Sequence, residues 1–298
     1  MYAEIQGPDD APPREHPRAL VTLALGAQYL ARWRALAMPG FAAYAARHGY
    51  DAIVVVGHLD KSWRALKRSP AWQKCLILSQ PWSAQYVRVV WVDADCVPKA
   101  DAPDICEDVP VECVGANTVF EQFSDVEFQI LIERHYGYRV AVRDARAAFA
   151  AVQAEVYRTD GFADPPGPMM HTGVLVLSPA HHRALLESAY AYESVNRWYE
   201  QTALSYLTLK AGAMHGFNPR FNWLLDIVLQ QDMPGLDAAD ARARLESGDA
   251  ELLGAIRAQW RKCHFLHVGD RVWRALGDAH DPATRVLANV LSEPPPAA

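Results

Sequence analysis

The sequence predicts an α/β fold, a single domain with a mainly parallel central sheet flanked by helices. Two observations lead there. Short apolar runs such as "DAIVVVG" (51–57) and "YVRVVWV" (86–92) alternate with longer stretches of helical character. Runs of that kind suit strands buried on both faces, as in parallel sheets covered by crossover helices. The chain has 298 residues, 51% of them hydrophobic and 21% charged, which is ample for one large core. No internal repeat or linker divides it.

In chain order, residues 1–18 are rich in Pro and Asp and read as a flexible arm. "ALVTLAL" (19–25) is a first strand stopped at Gly26, and "AQYLARWRALAMPGFAAYAARHG" is a helix broken at Pro39-Gly40. A short helix, "AWQKCLILSQ" (71–80), lies between the strands at 51–57 and 86–92. "VECVGANT" (111–118) and "GVLVLS" (173–178) continue the sheet. Between them, over 143–170, an alanine-rich helical piece runs into "TDGFADPPGPMM", too rich in Gly and Pro for regular structure. Such a segment suits a lid or binding loop. Helices follow over 180–196, 200–211, 237–246 and 250–260, with a last strand over 262–269. The folded domain is expected over 19–291, with a flexible tail over 292–298.

Composition excludes some classes of function. A formal net charge of -6 without a long basic run argues against a nucleic-acid partner. Cys75, Cys96, Cys106, Cys113 and Cys263 form no CxxC pair, as expected of reduced thiols in a cytoplasmic protein. The apolar stretch "ALVTLALGAQYLA" (19–31) is too short to span a bilayer, and the polar start has no signal-peptide pattern. Peripheral membrane contact through the aromatic-rich "RFNWLL" (220–225) stays open.

The chemistry is concentrated in "VVWVDADCVP" (89–98), where a strand of apolar residues ends in Asp93 and Asp95. Two carboxylates one residue apart repel each other and gain nothing from burial, so a cation is the natural partner. A turn just past the strand lets both converge on one hard divalent ion, Mn2+ or Mg2+, which stays open to phosphate oxygens. In sheets of this kind, ligands bind beyond the carboxyl ends of the strands, where these residues lie. An acidic turn capping the strand is the plain alternative.

Two chemistries use such a pair. "DADCV" fits the Asp-x-Asp-x-[Thr/Val] string of haloacid-dehalogenase-like phosphatases, with Asp93 as nucleophile. That resemblance weakens at "VGDRVWRALGD" (268–278), where Arg274 stands in place of a further acid. The other chemistry is glycosyl transfer. "VTLALGAQYL", "AWQKCLIL", "VVWVDADCVP", "MHTGVLVLSP", "WYEQTALSYL", "FNPRFNWL" and "KCHFLHVGDRVW" occur in the order found in GT-A-fold glycosyltransferases. The chain resembles that family from about residue 19 to about 273, particularly its glycogenin-like and bacterial lipopolysaccharide galactosyltransferase-like members.

The resemblance implies a GT-A-like (Rossmann-like) domain and roles for particular residues. Thr22, Leu23, Ala24 and Tyr29 would embrace the nucleoside, and Lys74 and Arg271 would meet the donor diphosphate. Asp93 and Asp95 would hold the metal with one histidine of "KCHFLHVG", Asp93 also touching the donor. His267 is preferred because it lies nearer the strand end and Gly269; His264 is the alternative, and on a strand the two point to opposite faces. Trp273 stands for the family's tryptophan, and Val272 replaces its proline. Glu200 and Gln201 would sit beside the transferred sugar as catalytic residues. His171, in place of the family's asparagine, would border the acceptor side with Gly173, Asn218 and Asn222. By the same resemblance the donor is a UDP-hexose, the outcome is retention, and the acceptor is a hydroxyl of a glycan, a lipid-linked glycan or a small molecule. A non-catalytic sugar-nucleotide-binding protein is the third reading.

Overall fold

The computed structural model describes residues 2–7, 10–137, 139–193, 198–233 and 235–292. Seven strands form the main sheet: β1 (Ala3–Ile5), β2 (Arg18–Leu23), β3 (Asp51–Val55), β4 (Arg88–Val92), β6 (Val114–Thr118), β7 (Met170–Leu177) and β8 (Met214–Gly216). Three short strands, β5 (Cys96–Pro98), β9 (Trp223–Leu224) and β10 (Phe265–His267), form a second sheet in the order β5-β10-β9. The main sheet has the order β1-β3-β2-β4-β7-β6-β8 and is parallel except at β7, which runs against both β4 and β6.

The strands are buried on both faces because their apolar runs leave no polar alternation. Leu20, Val54, Val90 and Val92 pack with Trp33, Leu36, Phe41 and Tyr44 of the helices Ala27–Leu36 and Met38–His48. Val21, Ile53, Val89 and Trp91 point the other way, into a core with Trp72, Ile77, Leu186 and Leu204. The helices Pro179–Ala191 and Glu200–Lys210 and the 3₁₀ helix Pro70–Ser79 build that second face. The first helical stretch breaks at Ala37, two residues before Pro39 in the first turn of the next helix.

Several expectations need correction. Residues 1–18 are not wholly a loose arm. Ile5 is buried and Ala3–Ile5 pairs with Ile53–Val55, while the backbone N–H groups of Glu15 and His16 bind the Asp51 carboxylate at 3.0–3.2 Å. The helix expected over 71–80 is a 3₁₀ helix over Pro70–Ser79. That expected over 180–196 is Pro179–Ala191, and residues 194–196 lie outside the described residues, as do 293–298 of the tail. The "RFNWLL" segment is no membrane surface: Phe221, Asn222, Leu224 and Leu225 are buried, Phe221 and Leu225 in one core with Phe265 and Leu266 of β10, and Leu224 in another with Phe123 and Phe128. Within 143–170 the expectation holds: the alanine-rich piece is the helix Ala145–Thr159, and the stretch from it to β7 is irregular. Among the described residues no helix is long and apolar enough to cross a membrane.

The two sheets meet where β4 ends. After Val92 the chain turns through Asp93–Asp95, closed by Cys96 N–H donating to Asp93 O (2.9 Å), and enters β5. Asp93 N–H donates to Gly173 O of β7 at 2.7 Å, and Val268 N–H to Asp95 O at 2.9 Å. The main sheet therefore holds Asp93 by its backbone, and the segment following β10 holds Asp95.

Candidate active site

At this junction lies a cleft of about 670 Å³, bordered by β2, β4, β7 and the helix starting at Glu200. Asp93, Asp95 and His267 stand together in it, each offering a ligand atom within 4.8 Å of the others. His267 Nε2 is 3.4 Å from Asp95 Oδ1. Its Nδ1 is 2.9 Å from Asn222 Oδ1, an oxygen that can only accept, so the ring carries its proton on Nδ1 and leaves Nε2 as the lone pair facing the carboxylates. Two carboxylates and an imidazole nitrogen oriented in this way suit a divalent cation such as Mn2+. His264, the alternative, is not in the cluster. It packs on Phe221 with ring centroids 4.7 Å apart and does not line the cleft.

Lys74 provides the permanent positive charge. It is 3% exposed, and its Nζ lies 3.0 Å from Asp93 Oδ1, 3.0 Å from Glu200 Oε1 and 3.1 Å from Thr172 O. Burial works against its charge, but Asp93 and Glu200 hold its pKa above the ordinary lysine value. Trp91 Nε1 donates to Asp93 Oδ1 at 2.7 Å, so this carboxylate is oriented from two sides. Burial still pushes the Asp93 pKa up, with Lys74 opposing it. Burial also works against Asp95 ionising, but His267 beside it holds its pKa below the usual value; in return, and against its own burial, His267 is raised by Asp95.

Glu200 stands at the start of its helix, after Tyr199, whose φ of 51° is the sole positive value among the described non-glycine residues. That strained conformation carries the chain from the cleft rim into the helix with Glu200 turned inward. Thr172 Oγ1 donates to Glu200 Oε1 at 3.0 Å, while the buried Oε2 has no partner. Gln201 accepts from Thr172 N–H at 3.4 Å, a loose contact that leaves its amide adaptable.

Other residues singled out by sequence are more dispersed. Leu23 and Tyr29 line the cleft, and the Tyr29 ring packs on Trp273 at 5.4 Å. Thr22 and Ala24 are buried in and beside β2, outside the cleft lining. Asn218 caps the 3₁₀ turn Pro219–Asn222 by accepting from Arg220 N–H at 3.0 Å and does not reach the cleft. Arg271 contributes its backbone N–H to Asp226 at 3.0 Å; the guanidinium on the cleft is that of Arg274, paired with Asp270 at 2.6 Å. Sequence reasoning missed Trp91, Thr172, Asp270 and Arg274. A helix over Asp270–Ala275, a segment to which the sequence reading assigns no element, carries Arg274 to the rim.

No protein-family profile and no curated protein matches the sequence. Its neighbours among solved structures are glycosyltransferases. One is involved in glycosylation of the major capsid of PBCV-1 (12% identity, 86% of this chain and 97% of that one, TM-score 0.47). Another is galactosyltransferase LgtC, solved with donor and acceptor sugar analogues (15% identity, 93% and 98%, TM-score 0.46). A third is mouse xyloside xylosyltransferase 1 in its apo form (12% identity, 85% and 97%, TM-score 0.43). At these identities the likeness assigns no residue.

Two outcomes are expected. A Cβ on Gly173 would stand 2.5 Å from His267 Cε1, so Gly173→Ala displaces the imidazole. Titration calorimetry should show Mn2+ affinity lowered by about tenfold or more, as for disturbed ligand orientation, with an unchanged far-UV spectrum. Asp226, whose carboxylate receives Arg271 N–H, is pushed by burial from 3.8 up to about 6. An acid raised on folding binds more protons in the native state, so its contribution to stability falls as pH rises from about 4 to about 6. Asp226→Asn removes that loss. Metal-free denaturant unfolding should show the variant gaining about 2–3 kcal/mol on wild type between pH 4 and pH 7.

Proposed function

We propose that the protein is a metal-dependent glycosyltransferase that moves a hexose from UDP-hexose to an acceptor hydroxyl with retention of configuration. The observation that carries this reading is the Asp93–Asp95–His267 cluster at the carboxyl end of a central strand, open to a cleft of about 670 Å³. A volume of that order accommodates a nucleotide-sugar. Asp93, Asp95 and His267 would hold the cation, and its chemistry there is to neutralise charge developing on a leaving diphosphate.

The chain's own residues do the rest. Lys74 keeps Asp93 and Glu200 in register and holds a fixed positive charge beside the site. The wall formed by Leu23 and Tyr29 accepts the base and ribose, while Arg274 at the rim meets the diphosphate from the solvent side. Glu200 Oε2, buried without a partner, accepts a hydroxyl of the sugar, and Gln201 lies next to it. The bond from the anomeric carbon to phosphate breaks as the acceptor oxygen bonds to that carbon. The hydroxyl proton passes to the departing phosphate.

The test is a thermal-shift panel of UDP, GDP, CMP and their common sugars, each with and without Mn2+. A ligand that binds only the native state raises the melting temperature according to its concentration over Kd. UDP and UDP-hexose should shift it only with Mn2+, and Asp95→Ala should abolish the shift. Absence of any nucleotide shift in folded protein would reject the reading.

A further inference from the structure

Two histidines meet at one buried amide. Asn222 Oδ1 is 2.9 Å from His267 Nδ1, while Asn222 Nδ2 is 2.7 Å from His171 Nδ1 and 3.3 Å from Asn117 Oδ1. The backbone fixes which end of the amide faces which ring. Gly173 N–H, which can only donate, points at His171 Nδ1 at 3.3 Å, so that nitrogen is an acceptor and the His171 proton is on Nε2. An acceptor at His171 Nδ1 demands the NH2 end of Asn222, and the carbonyl oxygen of His171 lies on the same side, 3.5 Å from Nδ2. The oxygen end is then left for His267, whose proton must sit on Nδ1 and whose Nε2 is free.

The two rings thereby receive opposite characters. His267 presents a lone pair to the carboxylates. His171 lines the cleft with an Nε2–H that has no protein partner among the described residues. Burial, with His267 next to it, holds the His171 pKa well below the ordinary value, consistent with a neutral ring that serves as a hydrogen-bond donor and not as a charge.

We propose that Asn222 is a positioning residue that couples the two tautomers: through its oxygen it makes His267 a ligand through Nε2, and with Gly173 N–H it keeps His171 a neutral Nε2–H donor to an oxygen of the bound sugar. The second half rests on the glycosyltransferase reading; the first does not. The sugar oxygen belongs either to the donor hexose or to the acceptor.

Asn222→Asp separates the two effects. A carboxylate still accepts from His267 Nδ1–H, so Mn2+ binding persists, but towards His171 it offers an oxygen in place of a donor, and that closer acceptor draws the His171 proton to Nδ1 against the longer Gly173 N–H contact. Ring-15N NMR of histidine-labelled protein should find His171 protonated on Nε2 and His267 on Nδ1 in wild type, with only His171 changed in the variant. Affinity for UDP-hexose with Mn2+ should fall by about tenfold, the worth of one good hydrogen bond, while UDP affinity is kept. That pattern identifies the donor hexose as the partner. Unchanged UDP-hexose affinity with a raised KM for the acceptor identifies the acceptor hydroxyl instead. His171→Asn, which restores an N–H donor, should recover the lost binding.

A wild-type His171 protonated on Nδ1, or an Asn222→Asp variant with unaltered His171, overturns the positioning role. If Asn222→Asp does not fold, the wild-type ring assignment alone decides. If both rings are as stated but wild type binds no nucleotide-sugar, the positioning role stands and the sugar contact falls with the functional reading.

Discussion

Asp93 and Asp95 bring two like charges to the edge of an apolar core, and the surrounding elements are arranged to hold them there. Placing such a pair in a half-buried site is costly unless opposite charge and hydrogen bonds compensate it. Lys74 reaches Asp93 from a 3₁₀ helix and Trp91 turns its indole N–H forward past the end of β4, while His267 meets Asp95 from the second sheet. The backbone contributes as well, since the turn between the carboxylates is tied to β7 on one side and to the segment after β10 on the other.

The same constraint makes the site a connected network. Lys74 joins Asp93 to Glu200, Thr172 joins Glu200 to β7, and Asn222 joins His267 to His171. Residues from six separated stretches of chain therefore share hydrogen bonds and ion pairs around one cleft. In a network of this kind single substitutions propagate, and their effects do not add. Gly173 shows how tightly it is packed: the absence of one methyl-sized group lets the imidazole approach β7.

Much of this was legible in the sequence, and what was not has physical causes. The buried strands announced themselves as unbroken apolar runs, and Asp93 and Asp95 as acids at the end of one. The reversal of β7 was invisible, since an apolar run buried on both faces reads the same in either direction. The helix Asp125–Tyr136 did carry a signal in "SDVE", a capping box in which Ser124 and Glu127 exchange hydrogen bonds with the backbone. Arg274 was overlooked because the family resemblance points to Arg271, and no element was assigned to the helix Asp270–Ala275, from which Arg274 and not Arg271 lines the cleft. Asn222 was singled out only as an acceptor-side residue, by resemblance. Its position between two histidines depends on contacts spanning about fifty residues in either direction, which spacing in sequence does not encode.

The central claim is that one divalent cation joins Asp93, Asp95 and His267 to the diphosphate of a nucleotide-sugar. Anomalous diffraction at the manganese edge, from crystals grown with Mn2+ and UDP, tests it directly. The account predicts one strong peak within bonding distance of both carboxylates and His267 Nε2, with the diphosphate of UDP against it. UDP bound in the cleft with no peak there, or manganese bound only elsewhere on the molecule, would contradict it.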